Sequence, residues 1–214
     1  MERVITYIDG FNLYYGMKAK GWRRYYWLNL QQLAANLLKP GQSLETTKYF
    51  TARISAGGPQ TPPALKSKMT NKWKRQSAYL EALGTLTHFQ IFYGHYLGKI
   101  ITCQNCKNTW QTHEEKMTDV CIGTELLLDA FRDGFDTAIL VSGDSDLVPP
   151  VEAVRRYFPA KRIVVAFPPE RISMRLKQSA SAFFTIGEAK LRQSQFPDQV
   201  VKPDGFVLNR PPEW

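Results

Sequence analysis

The runs of this chain that most resemble buried β-strands stop at carboxylates. Val4-Ile5-Thr6-Tyr7-Ile8 is short, apolar and β-branched, and it ends at Asp9-Gly10-Phe11-Asn12. Ala138-Ile139-Leu140-Val141 repeats the pattern and ends at Ser142-Gly143-Asp144-Ser145-Asp146. Strand-like runs alternate with helical spacing along the chain, the pattern of βαβ units and a parallel sheet. Open sheets of that kind bind ligands at the carboxyl ends of their strands. Carboxylates converging there repel one another unless a cation neutralises them. The pattern therefore points to a divalent-metal site, whose usual substrate is a phosphate ester.

Strands are expected over about residues 3–8, 47–54, 87–93, 137–141 and 162–167. Helical spacing covers residues 28–38, 64–83, 119–131, 146–157 and 173–180. Residues 55–63 hold two glycines and three prolines and read as a loop. Residues 95–116 read as an irregular insertion containing Cys103-x-x-Cys106. One domain over residues 1–190 accounts for these elements, and 191–214 reads as an extended, Pro-rich tail.

Asp119 adds a third acidic position. On a helical wheel it shares a face with Ile122, Gly123, Leu126 and Ala130, so it lies on the side that packs on the sheet. Placed in the first turn, it would point back toward the strand ends. Asp9-Gly10 also suits a turn, and Asp119 and Asp144 also suit helix N-termini. Two Asp at i and i+2, with one serine between them and another two residues before, exceed what a cap requires, and all-oxygen ligands suit Mg²⁺ or Mn²⁺. Asn12 could hydrogen-bond a phosphate or a metal-bound water. His88, His95 and His113 form no pattern suited to acid–base cleavage through a 2′-hydroxyl.

The net charge of +9 favours a polyanionic partner, with nucleic acid first. Candidate contacts are Arg23 and Arg24 in the run Trp22-Arg23-Arg24-Tyr25-Tyr26-Trp27, Lys68, Lys72 and Arg75 along one helix edge, Lys116, and Arg171 with Arg175 and Lys177. Alternating cations and rings suit phosphate contact with base stacking, while some of these aromatics are expected to anchor a loop on the core; a single-stranded nucleic acid is expected, RNA before DNA. No run is long and apolar enough to span a bilayer, and Met1-Glu2-Arg3 leads into a strand rather than a secretory signal. Three cysteines fit a reducing compartment, so a cytoplasmic location is expected.

The chain resembles the NYN domain family of PIN-like metal-dependent ribonucleases. The resemblance rests on Tyr7-Ile8-Asp9-Gly10-Phe11-Asn12, on Glu115-Lys116-Met117-Thr118-Asp119-Val120 and on Ser142-Gly143-Asp144-Ser145-Asp146-Leu147-Val148-Pro149, in that order, and covers roughly residues 3–187. It implies a three-layer α/β/α sandwich with a central, mostly parallel sheet of PIN-like, Rossmann-like kind. It also implies cleavage of RNA with one or two Mg²⁺ or Mn²⁺ ions at Asp9, Asp119, Asp144 and Asp146, with Asn12 as polar partner of Asp9. Where the family often carries a further Asp, this chain has Glu125, which lies off the face of Asp119 and also reads as a solvated helix charge. Many relatives of this shape pair up, so a homodimer is a further expectation. Two other functions stand beside the nuclease: an RNA-binding module without catalysis, and a different metal-dependent phosphoesterase.

Cys103-x-x-Cys106 is one half of a zinc-site pattern, with His113 and His95 as candidate third and fourth ligands of a structural Zn²⁺. A short loop with two reduced thiols is the alternative. Cys121, within a helix, reads as a buried inert thiol.

Overall fold

The computed structural model describes residues 1–58 and 63–214, with side chains throughout except at 64, 99 and 110–114. Residues 59–62 of the expected loop, and the side chain of His113, lie outside the described residues.

Seven strands form one sheet: β1 (Glu2–Asp9), β2 (Gln42–Ala52), β3 (Phe89–Thr102), β4 (Thr109–Lys116), β5 (Thr137–Val141), β6 (Arg162–Phe167) and β7 (Ala182–Thr185). Their order is β4-β3-β2-β1-β5-β6-β7, and every pairing is parallel except β3 with β4. Successive strands run outward from β1 on one side and from β5 on the other. The β1–β5 seam is therefore the topological switch point, where the helices after neighbouring strands leave to opposite faces and open a crevice.

Side-chain alternation divides the core in two. Val4 and Ile8 of β1 face α1 (Gly10–Ala19), α2 (Leu30–Leu37), α3 (Pro63–Leu83) and α7 (Glu188–Gln193), through Leu13, Leu33, Leu83 and Leu191. Ile5 and Tyr7 face α4 (Thr118–Phe131), α5 (Val148–Tyr157) and α6 (Met174–Ser179), through Leu126, Val151 and Leu176. The expected α/β/α layering is what the chain forms. The strands over 137–141 and 162–167 match their expected bounds, and α4 buries the face carrying Ile122, Gly123, Leu126 and Ala130.

The expected elements do not include α1, β7 or α7, β2 starts at Gln42 rather than at 47, and two further segments differ more deeply from expectation. Residues 95–116 are not irregular: β3 runs on to Thr102 and pairs antiparallel with β4 as a hairpin arm. Its turn closes through Cys103 N to Asn108 O at 2.8 Å and Lys107 N to Cys103 O at 2.9 Å, with Lys107 left-handed at φ 57°. The hairpin pairing runs through Gly98, and the arm leaves Leu97 and Ile100 exposed.

The segment after residue 190 is not an extended tail. It finishes α7 and forms a hairpin of β8 (Gln199–Val201) and β9 (Val207–Asn209). Trp27 is fully buried against it, 5.6 Å from Phe196 and 6.2 Å from Trp214 between ring centroids, and its indole N–H donates to Pro197 O at 2.8 Å. The apolar content of Phe196, Val200, Leu208 and Trp214 outweighs the prolines that suggested solvation.

Among the described residues no helix is long and apolar enough to cross a membrane.

Candidate metal centre

β1 delivers Asp9 to the carboxyl edge, where its carboxylate also caps α1 by accepting from Asn12 N at 3.0 Å. Asp9 is almost fully buried, and an ionised carboxylate there needs partners. Its second oxygen accepts from Asn12 Nδ2 at 2.7 Å and from the Ser142 hydroxyl at 2.8 Å. Asn12 Oδ1 in turn accepts from Gly143 N at 3.2 Å, tying the end of β1 to the turn after β5. Gly10 is required by packing: a Cβ there would meet Phe50 O and the Tyr49 ring at 2.7 Å.

The turn after β5 is similarly fixed. Asp144 N donates to Ser142 Oγ at 3.1 Å, and Asp146 N donates to Asp144 Oδ1 at 3.0 Å. One Asp144 oxygen thus starts a short 3₁₀ turn over Ser145–Leu147, while Asp146 stays exposed.

Asp119 comes from the first turn of α4. Met117 enters that helix in the left-handed conformation at φ 79°, a strained choice for a side chain with a Cβ. The entry is held by Glu115, whose carboxylate accepts from Thr118 N at 3.1 Å and from the Thr118 hydroxyl. Gly94 lets this corner close, since a Cβ there would lie 2.5 Å from Lys116 O.

The carboxylates act on one another. Burial pushes the Asp119 carboxyl up to about 7, and Asp9, Asp144, Glu115 and Asp146 push in the same direction. Burial also raises Asp9, against its hydrogen bonds, with Asp144 adding to the rise. Glu115 is raised by burial first, and Asp9 and Asp144 add to it. Glu115 is the site residue that sequence reasoning missed; its signal is a position at the end of β4, four residues before Asp119. Among the described residues no three His, Cys, Asp or Glu side chains are gathered closely enough to share one ion. The fit to a divalent cation therefore rests on donor chemistry and charge: hard oxygen donors around one crevice, destabilised by each other's charge.

The other expected residues are dispersed. Cys103 and Cys106 sit in the turn of the arm, where backbone N–H groups of Cys106 and Asn105 lower the Cys103 thiol. His95 pairs opposite Lys116 at the base of the arm, and His113 opposite Gly98. At about 3.4 Å per residue, His95 is roughly 27 Å along β3 from Cys103 and the His113 backbone roughly 17 Å. The four residues do not converge, so the proposed four-ligand zinc site does not form within one chain. Cys121 is half-buried, and burial raises its thiol.

Of the cations, Arg24 pairs with Glu188 at 2.5 Å and Arg75 with Glu213 at 2.9 Å, so both hold the C-terminal segment to the body. Tyr25 and Trp27 between the expected RNA contacts are buried core. Arg23, Lys68 and Lys72 are exposed, Lys116 is half-buried beside Glu115, and Arg171 is exposed with its backbone against Gly143. Glu125 is neither a metal-site carboxylate nor a solvated charge: it pairs with the buried Lys48 at 2.6 Å.

Residues 3–187 match the NYN domain family. The chain belongs to the NYN domain family. The 6-hydroxy-3-succinoylpyridine 3-monooxygenase HspA of Pseudomonas putida is 27% identical to this NYN protein over 186 residues, covering 72% of this chain and 56% of that protein. The chain thus spans little more than half the length of that relative. A solved structure of a Vibrio parahaemolyticus protein of unknown function superposes with a TM-score of 0.54 at 19% identity, covering 91% of this chain and 96% of that one. At that identity the likeness concerns the fold.

Proposed function

We propose that this NYN protein is a metal-dependent ribonuclease acting on single-stranded RNA at the β1–β5 crevice. The observation that carries the reading is that Asp9, Asp119, Asp144 and Glu115 border one crevice at the strand ends, where burial first and neighbouring carboxylates second raise Asp9, Asp119 and Glu115, a charge burden a divalent cation would relieve. NYN and other PIN-like nucleases as a class use divalent metals, which agrees with it. A binding-only surface for a polyanion gains nothing from clustered negative charge.

Asp9, Asp119, Asp144 and Asp146 would hold one or two Mg²⁺ or Mn²⁺ ions. A bound ion of this kind supplies an activated water and neutralises charge developing on the phosphate. The chain's own contribution is positioning. The Asn12 and Ser142 hydrogen bonds fix the Asp9 carboxylate, and Glu115 sets the entry of α4 that carries Asp119. The Asn12 amide, held by Gly143 N, keeps β1 and the β5 turn in register. Asp119, pushed up to about 7 chiefly by burial, is partly protonated near neutral pH and would have to ionise to ligate an ion.

Incubating end-labelled single-stranded RNA with Mn²⁺, Mg²⁺ or EDTA tests this. We expect cleavage with metal, none with EDTA, and a loss of at least about 10²-fold in Asp144→Asn. RNA bound but uncut in every metal would make the protein a binding module, and phosphate release from small esters without RNA cleavage would make it a phosphoesterase.

A further inference from the structure

Two arginine–tyrosine stacks stand exposed on either side of the carboxylates. Arg53 follows β2, and its guanidinium carbon lies 4.6 Å from the Tyr93 ring centroid while Nη2 donates to the Tyr93 hydroxyl at 3.2 Å. Tyr93 is near the carboxyl end of the parallel part of β3, opposite Thr51. On the other side, the Arg171 guanidinium carbon lies 5.8 Å from the Tyr15 ring centroid, and Lys18 Nζ lies 5.5 Å from the same ring.

The second stack is anchored to the site by absent side chains. A Cβ on Gly143 would lie 2.5 Å from Arg171 O, and a Cβ on Gly16 would lie 2.4 Å from Pro169 O. The loop after β6 is therefore pressed onto both the residue before Asp144 and the helix that carries Tyr15.

Both rings are open to solvent, Tyr93 at 41% and Tyr15 at 43% exposure. Core packing does not explain them. Arg24 and Arg75 are committed to carboxylates, but among the described residues neither Arg53 nor Arg171 makes an ion pair with one. Each stack thus offers a cation for a phosphate and an oriented ring for a base, the pairing that grips single strands. Arg53 and Arg171 follow β2 and β6, whose ends lie three inter-strand steps apart, about 14 Å at about 4.8 Å per step. That span suits a few extended nucleotides. Bases stacked within a duplex cannot reach such rings.

We infer that Arg53–Tyr93 and Arg171–Tyr15 are two base-stacking subsites that lay a single-stranded nucleic acid across the carboxylate crevice. The placement of the cut phosphate between them rests on the nuclease reading; the binding itself does not.

Fluorescence anisotropy of a short fluorescein-labelled oligouridylate, beside a duplex of equal length, tests the subsites in EDTA. Tyr93→Ala and Tyr15→Ala are each expected to weaken single-strand binding about tenfold, leaving duplex affinity unchanged, while Tyr93→Phe and Tyr15→Phe bind as wild type. Both tyrosines are exposed, so the variants should melt like wild type. Wild-type affinity in both alanine variants would overturn the inference, as would an equal loss for single strand and duplex. Metal-dependent cleavage with normal binding in those variants would remove the subsites and keep the nuclease. Weakened binding without any cleavage in wild type would keep the subsites and remove the nuclease.

Discussion

Two acidic groups lie on the same face of this sheet, and they are built on opposite principles. Under the middle of α4, Glu125 and Asp129 meet Lys48 Nζ at 2.6 and 2.7 Å, and the Tyr7 hydroxyl donates to Asp129 at 2.5 Å. The chain supplies its own cation there, and burial together with Asp129 keeps the Tyr7 phenol protonated well above its usual range. At the N-terminus of α4, burial pushes Asp119 up to about 7, and the charges of Asp9, Asp144, Glu115 and Asp146 add to the rise. A neutralised group fixes the helix on the sheet, whereas carboxylates without a cation of their own are biased toward the protonated form and leave room for a cation to bind. Glu125 and Asp119 are six residues apart on one helix, and their partners alone separate the roles.

Breaking the unneutralised group has the largest consequence. Asp144→Asn should lower RNA cleavage by at least about 10²-fold while the thermal melt stays close to wild type. Loss of the fold alongside activity would place Asp144 with the structural group instead.

Breaking the neutralised group should do the reverse. Lys48→Met leaves the buried Asp129 and the half-buried Glu125 without their cation, and should destabilise by about 3–5 kcal/mol in urea unfolding. Adding Glu125→Gln and Asp129→Asn to that variant should recover much of the loss. A single Lys48→Met variant as stable as wild type would show that the pair is not structural.

The smallest effect sharpens the contrast through pH. Asp119 is held at about 7 in the folded chain against an ordinary 3.8, so folding favours its protonated form. Stability of the metal-free protein should therefore fall as pH rises from about 4 to about 7. Asp119→Asn should flatten that slope, and Mn²⁺ should offset it. A melting temperature that rises over this range in wild type, read by circular dichroism in EDTA, would contradict the assignment.

The carboxylate group was legible because each member sits at a boundary: Asp9 and Asp144 where apolar β-branched runs stop, Asp119 on the apolar face of a helix. Period and punctuation encode such positions locally. Glu115 was hidden because its role depends on an antiparallel hairpin in a segment that reads from sequence as an irregular insertion. Lys48 was hidden for a similar reason: nothing in Thr47-Lys48-Tyr49 announces that a helix some eighty residues on will place Glu125 and Asp129 over it. Which of the rings in 22–27 stack on RNA and which anchor the core could not be read locally, because the segment that covers Tyr25 and Trp27 lies at the other end of the chain. The zinc proposal failed on register, which the spacing of Cys and His along the chain does not contain.

The most direct test of the central claim is calorimetric titration of the metal-free protein with Mn²⁺ at neutral pH, in two buffers of different ionisation enthalpy. Binding should release protons, because Asp119 starts partly protonated and must ionise to ligate. Binding with proton release in wild type, lost in Asp144→Asn and without protons in Asp119→Asn, is the expected result. Equal binding in all three proteins, or no binding in wild type, would contradict the claim that these carboxylates form a divalent-metal site.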